Sequence, residues 1–162
     1  MTGVVKRTVS EKGFTYIHLL LIVVIMGISL SAVGRYWSYL DKKDKEAELL
    51  FRGDQFVRAI DSYYKRAHGK VNIYPKKMED LLKDPRSLAP RRHLRRIYKD
   101  PMTGEDDWIP IIDPASKRIK GVKSRSEDTP LKTDGFPLVY QSFKDKGSYS
   151  EWGFVHVPGM KW

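Results

Sequence analysis

From Phe14 to Val33 the chain is almost unbroken apolar sequence, interrupted only by Thr15, His18, Gly27, Ser29 and Ser31. No other feature restricts its fold as much. At about 1.5 Å per residue a helix of this length covers roughly 30 Å, the thickness of a bilayer's hydrocarbon core. A lone segment in lipid must satisfy its own backbone hydrogen bonds, so it has to be helical. The run starts at Phe14 itself, directly after a basic leader ending Ser10-Glu11-Lys12-Gly13. A cleaved secretory signal is the competing reading. Lys6, Arg7 and Lys12 supply a basic n-region, and Ser29-Leu30-Ser31 loosely matches a small-residue cleavage site. Against it, the run exceeds the usual apolar core of about 7–15 residues, and helical patterning continues past Ser31.

Orientation follows from size more than charge. Lys6, Arg7 and Lys12 precede the run while Arg35, Lys42, Lys43 and Lys45 follow it, so the positive-inside count is nearly balanced. A short leader before the run and a large body after it favour a cytoplasmic leader with the body outside. Gly27, Ser31 and Gly34 share one helical face. Such a stripe lets helices approach closely in lipid, and it is also what membrane helices simply tolerate. The charged block Asp41 to Glu46 then leaves the apolar run without a proline or turn cluster, with Asp41 and Lys45 in the favourable i, i+4 order. Leu49, Gly53, Phe56, Ile60, Tyr63 and Ala67 repeat at helical spacing, supported by Leu50, Val57 and Tyr64. This stripe needs a covering surface. Gly69 after His68 is a helix stop, so one helix is expected from Thr15 to His68, roughly 80 Å long. Gly53, costly mid-helix, marks a close contact.

What remains is small. Of 162 residues only about 95 follow this helix, enough for one modest domain. The formal net charge of +10, from 30 basic and 20 acidic residues, favours solubility and weak attraction to anionic surfaces without naming a partner. Zero cysteines exclude disulfides, thiol catalysis and thiolate metal sites. Val71 to Pro75 reads as extended, Lys77 to Leu82 as a helical turn ended by Asp84-Pro85, and Asp100 to Gly104 as a turn. Strands are expected at Trp108–Ile112, Ile119–Val122 and Tyr149–Val157, with a polar, mobile loop from Lys123 to Gly135. The fold class is α+β: a long N-terminal helix, its first half membrane-embedded, packed against a small antiparallel sheet. The division is a basic leader 1–13, a membrane or filament-core helix 14–34, its amphipathic continuation 35–68, and a globular domain 69–162.

These residues resemble the type IV pilin-like proteins, and most closely the major pseudopilins of type II secretion systems. The resemblance runs from Gly13-Phe14-Thr15 and Gly27 through Tyr63 to Lys70, Tyr74-Pro75 and Leu81-Leu82. It reappears at Lys99-Asp100-Pro101-Met102-Thr103-Gly104-Glu105 and Glu151 to Val155. It implies that a prepilin peptidase cuts between Gly13 and Phe14 and methylates the new Phe14 amine. It implies a single-pass inner-membrane subunit of a bacterium with its C-terminal domain in the periplasm. Such subunits build a homo-oligomeric filament with other pseudopilins and an inner-membrane secretion platform. The protein would be a structural subunit supporting export and not an enzyme; a type IV pilus or DNA-uptake pilin-like subunit is the alternative.

Two departures bear on this. The family usually carries glutamate four residues after the cleaved phenylalanine, pairing with a neighbour's terminal amine; here that position is His18. A neutral imidazole accepts a hydrogen bond from an amine but cannot neutralise it. His18, with Gly27, Ser31 and Gly34, is therefore a candidate assembly residue, the plainer reading being a snorkelling or partner-bonded histidine. The Gly/Asp-rich calcium loop of many major pseudopilins is not recognisable either, so no cofactor is expected, calcium being the one the resemblance leaves open. Asp106, Asp107 and Asp134 read as surface acidity more than as a cation site, because calcium needs several converging oxygens. Arg91, Arg92, Arg95 and Arg96 are a candidate anionic-surface contact. A solvated loop or a salt-bridging face between subunits is favoured over nucleic acid, since no aromatics are interleaved to stack on bases. No metal-ligand spacing links His18, His68, His93 and His156, and no nucleophile motif is visible, which disfavours a signal-anchored envelope enzyme.

Overall fold

The computed structural model describes residues 11–66, 72–87 and 89–160. The chain divides into two compact units, Met1–Asp41 and Lys42–Trp162. Helix α1 runs unbroken over Glu11–Lys65. In the first unit every described side chain from Thr15 to Tyr39 is exposed, Leu30 at 75 % and Trp37 at 67 % among them. Its apolar residues therefore look outward on all sides, as a membrane span's do. An 18-residue window here has mean hydropathy 2.4, long and apolar enough to cross a membrane. Ser29 and Ser38 donate their hydroxyls to the carbonyls of Ile25 and Gly34 one turn back, so these polar groups are satisfied inside the helix.

In the second unit α1 turns one face inward. Glu46, Leu49, Gly53, Phe56, Val57, Ile60 and Tyr63 are buried, the three-and-four spacing that the sequence stripe predicts. Ala67, His68 and Gly69 lie outside the described residues. A three-stranded antiparallel sheet in the order β1-β2-β3 covers this face, with β1 Ile109–Ile112, β2 Ile119–Lys123 and β3 Gly153–Val155. Val122 pairs with Pro110 on one side and Phe154 on the other. Pro110 has no N–H to donate, which suits the edge position of β1. Gly53 is the closest approach: a Cβ there would stand 2.4 Å from Phe154 Cδ1. The mid-helix glycine does mark a close contact.

The region after β2 departs from the sequence reading in three places. Tyr149 does not start a strand; Tyr149–Glu151 is a 3-10 turn, and β3 begins only at Gly153. The turn lets Tyr149 and Trp152 both enter the core, with ring centroids 5.1 Å apart. Leu138–Phe143, not anticipated, consists of 3-10 turns joined by a kink at Tyr140 (φ −120°), and it buries Tyr140 and Phe143. Phe143 lies nearly parallel to Trp152, at 5.2 Å. The polar loop after Lys123 is tied down. Ser124 is buried and donates to Asp100; Tyr149 N–H and Ser150 N–H bond the carbonyls of Asp128 and Ser126.

Candidate functional site

Glu46 closes the loop. From the charged block it looks solvated, yet it is buried. Its carboxylate accepts from Leu131 N–H at 2.7 Å, Lys132 N–H at 3.1 Å and Tyr149 O–H at 2.8 Å. Burial and this carboxylate together push the Tyr149 hydroxyl above its ordinary pKa. A helical spacing argument would have found it, since Glu46 lies three residues before Leu49 on the buried face.

The Asp100-Pro101-Met102-Thr103-Gly104 element is a turn organised by Asp100, which is fully buried. Its carboxylate accepts from Met102 N–H and Ser124 O–H, its backbone exchanges bonds with Gly104 and Glu105, and Gly104 takes a positive φ of 78°. Glycine adopts that conformation without strain.

Two buried histidines brace the end of α1. His93 lies between Ser62 Oγ (2.9 Å) and Asp84 Oδ2 (3.3 Å); His156 lies between Tyr74 O–H (3.1 Å) and Asp61 Oδ1 (3.0 Å). A carboxylate only accepts, so in each ring Nε2 carries the proton and Nδ1 accepts from the hydroxyl. Both contacts have the reach of ion pairs, but burial is the largest influence and pushes both imidazoles below their ordinary pKa. They are hydrogen bonds of neutral rings. Asp84 is also held by Arg86, whose side-chain hydrogen bonds keep its carboxyl well below the usual range. The Arg86 guanidinium covers the Tyr63 ring at 3.5 Å and donates to the Tyr63 carbonyl, one of the orphan acceptors at the helix end.

Ser62, His93 and Asp84 have the members and distances of a hydrolase relay. The His93 side chain is 1 % exposed and Asp84 is already paired to Arg86, so no reacting atom can approach the ring. The sequence shows no hint of this trio because its members are joined only by folding.

Of the residues singled out in the sequence, His18, Gly27 and Gly34 are exposed on α1, and among the described residues nothing beyond the helix's own backbone lies within 4 Å of a Cβ placed at either glycine. Gly13 and Phe14, where the resemblance leads one to expect processing, fall in the first turn of α1. The side chains of Phe14 and Ser31 lie outside the described residues, as does the leader before Glu11. The basic stretch 86–99 divides. Arg86 and His93 turn inward, whereas Arg91, Arg92, Arg95 and Arg96 are exposed and line one open cleft with Lys83. The three acids do not converge: Asp107 takes Thr103 and Arg125, and Asp134 takes Gly135 N–H and Lys144. Among the described residues no group of three metal-ligating side chains is arranged to hold an ion. Comparison with protein-family models, curated proteins and solved structures finds no match.

Proposed function

We propose that the chain is a structural pseudopilin-like subunit of a secretion-type filament, built to assemble and not to catalyse. The observation that carries this reading is α1. One continuous helix presents an all-round apolar segment in one unit and supplies the core face of a small α+β domain in the next. An apolar helix without a partner surface needs lipid or other helices to cover it, and a subunit held first in a membrane and then in a filament meets both needs. The buried Asp100 turn and the Tyr74 contact to His156 give structural roles to the two sequence elements that point to pseudopilins in particular. On this reading a prepilin peptidase cuts between Gly13 and Phe14. The subunit then waits in the inner membrane with Lys42–Trp162 in the periplasm and assembles with copies of itself and related subunits. His18 replaces the usual carboxylate in the contact with a neighbour's amine.

The test is the intact mass and N-terminal sequence of the protein extracted from membranes of its native host. A chain beginning at methylated Phe14 is expected. One beginning at Met1 or at Ala32 would overturn the reading, the latter in favour of a cleaved secretory signal.

A further inference from the structure

We propose that the cleft lined by Lys83, Arg91, Arg92, Arg95 and Arg96 is a binding site for a phosphate-bearing anion, free or carried on a lipid headgroup. The cleft encloses about 540 Å³, the size of small-ligand sites, and Leu82, Pro90 and Ile97 complete its lining. Five cations share it, and among the described residues no carboxylate forms an ion pair with any of them. The nearest acid in sequence, Asp84, is buried and taken by Arg86 and His93, so it does not quench the cleft from below. Asp106 adjoins Arg96 in a neighbouring cavity without bonding to it.

Like charges do not gather on a small domain without cost, and a solvated loop would let them spread. Here the backbone prevents that. Asp84 N–H bonds the Arg91 carbonyl at 3.0 Å, His93 and Leu94 N–H both bond the Leu81 carbonyl, and the Leu94 side chain is buried. The loop carrying the arginines is thus clamped to the 3-10 turn Met78–Leu81 that leads to Lys83. Four of the five cations are guanidinium groups, whose planar forks match phosphate oxygens two at a time. The cleft is concave and its lining holds no aromatic side chain, so it lacks the stacking platform that single-stranded nucleic acid uses. The apolar lining suits the carbon portion of a phosphate ester. The site belongs to the unit Lys42–Trp162 alone and stands or falls independently of the filament reading.

The experiment is calorimetric titration of the full chain, in non-ionic detergent at low salt, with pyrophosphate and with dihexanoyl phosphatidic acid below its micelle concentration. Both should bind with a dissociation constant below about 1 mM and weaken as salt rises. Tighter pyrophosphate binding points to a soluble source, and tighter lipid binding to a headgroup. Arg91→Gln/Arg95→Gln should weaken both by about tenfold or more, while the exposed pair Lys43→Gln/Lys117→Gln leaves them unchanged. No binding of either probe, equal loss in the Lys43/Lys117 control, or tighter binding of a DNA oligonucleotide than of both probes would each overturn the proposal.

Discussion

Gly53→Ala isolates the contact that joins α1 to the sheet. In an open helix the exchange stabilises by about 1 kcal/mol, since glycine is the costlier helical residue. Here the added Cβ would stand 2.4 Å from Phe154 Cδ1 and 2.5 Å from Cγ and Cε1, whereas ordinary contact starts at 3.4 Å. The ring would have to retreat about 1 Å in an interior packed as densely as an organic crystal. Phe154 is fully buried, with the rings of Phe143 at 5.0 Å, Tyr140 at 5.5 Å and Trp108 at 6.3 Å around it. Overpacking costs about 1–3 kcal/mol and occasionally more. A ring hemmed by three others belongs at the upper end, so after the helical gain the expected net loss is about 2 kcal/mol.

Urea unfolding of the full chain in detergent, followed by tryptophan fluorescence, measures this, because buried Trp108 and Trp152 report the core. A second variant separates the clash from any general intolerance. Phe154→Leu should cost about 1–2 kcal/mol by itself. Combined with Gly53→Ala it should lose less than the two separate losses together, by about 1 kcal/mol or more, because the smaller side chain makes room. A Gly53→Ala protein as stable as its parent, or strictly additive losses in the double variant, would refute the reasoning.

Glu46→Ala removes the acceptor of two backbone N–H groups and of the buried Tyr149 hydroxyl. The expected loss is about 2–4 kcal/mol, and hydrogen exchange at the amides of Leu131 and Lys132 should quicken by more than that of β2, which follows global stability alone; unchanged protection at those two amides would remove the tether. Stability should also fall with acid in two steps. His93 and His156 have folded pKa values below the ordinary 6.5, so below that pH the unfolded chain binds protons that the folded chain refuses. Stability is complete above pH 6.5 and declines below it; Asp84, also depressed, adds a second loss below 3.8. His93→Gln/His156→Gln should abolish the upper step in thermal midpoints followed by circular dichroism and keep the lower one; an unaltered upper step would assign it elsewhere. For His18, the expected order of filament yield is His18→Glu at least equal to the parent and His18→Leu below it, scored by pelleting of sheared filaments; three equal yields would exclude His18 from assembly.

The helix and its stripe were legible because both rest on periodicity within one segment. A 3.6-residue repeat places Leu49, Phe56, Ile60 and Tyr63 on one face whatever lies opposite. Two of the three strands could be read from their β-branched runs for the same reason. Tyr149 and Trp152 misled because aromatic residues are equally at home in strands and in a 3-10 turn. Trp152 is placed by stacking on Phe143, which comes from a segment with no regular pattern, and Tyr149 by meeting the Trp152 ring edge-on. That segment kinks at Tyr140, so no single helical period joins Tyr140 to Phe143 and their burial could not be read from spacing.

The basic stretch shows why candidate sites are harder to read than elements. Arg86, Arg91, Arg92, His93, Arg95 and Arg96 form one charged run in sequence, and nothing local distinguishes them. The fold separates them by need. The last carbonyls of any helix lack intrahelical donors, and a buried Asp84 near the end of α1 requires neutralising; Arg86 serves both the Tyr63 carbonyl and Asp84 with one guanidinium, and His93 adds a further partner to the carboxylate. Once those two are drawn inward and Leu94 is buried, the remaining four arginines are left facing outward around Lys83. The concentration of charge in the cleft is thus a consequence of how the helix end is satisfied. A variant that frees Arg86 from Asp84, such as Asp84→Asn, should therefore loosen the cleft as well as the helix terminus. The measurement is weaker pyrophosphate binding at a stability still sufficient for folding, and unchanged affinity would show that the two are built independently.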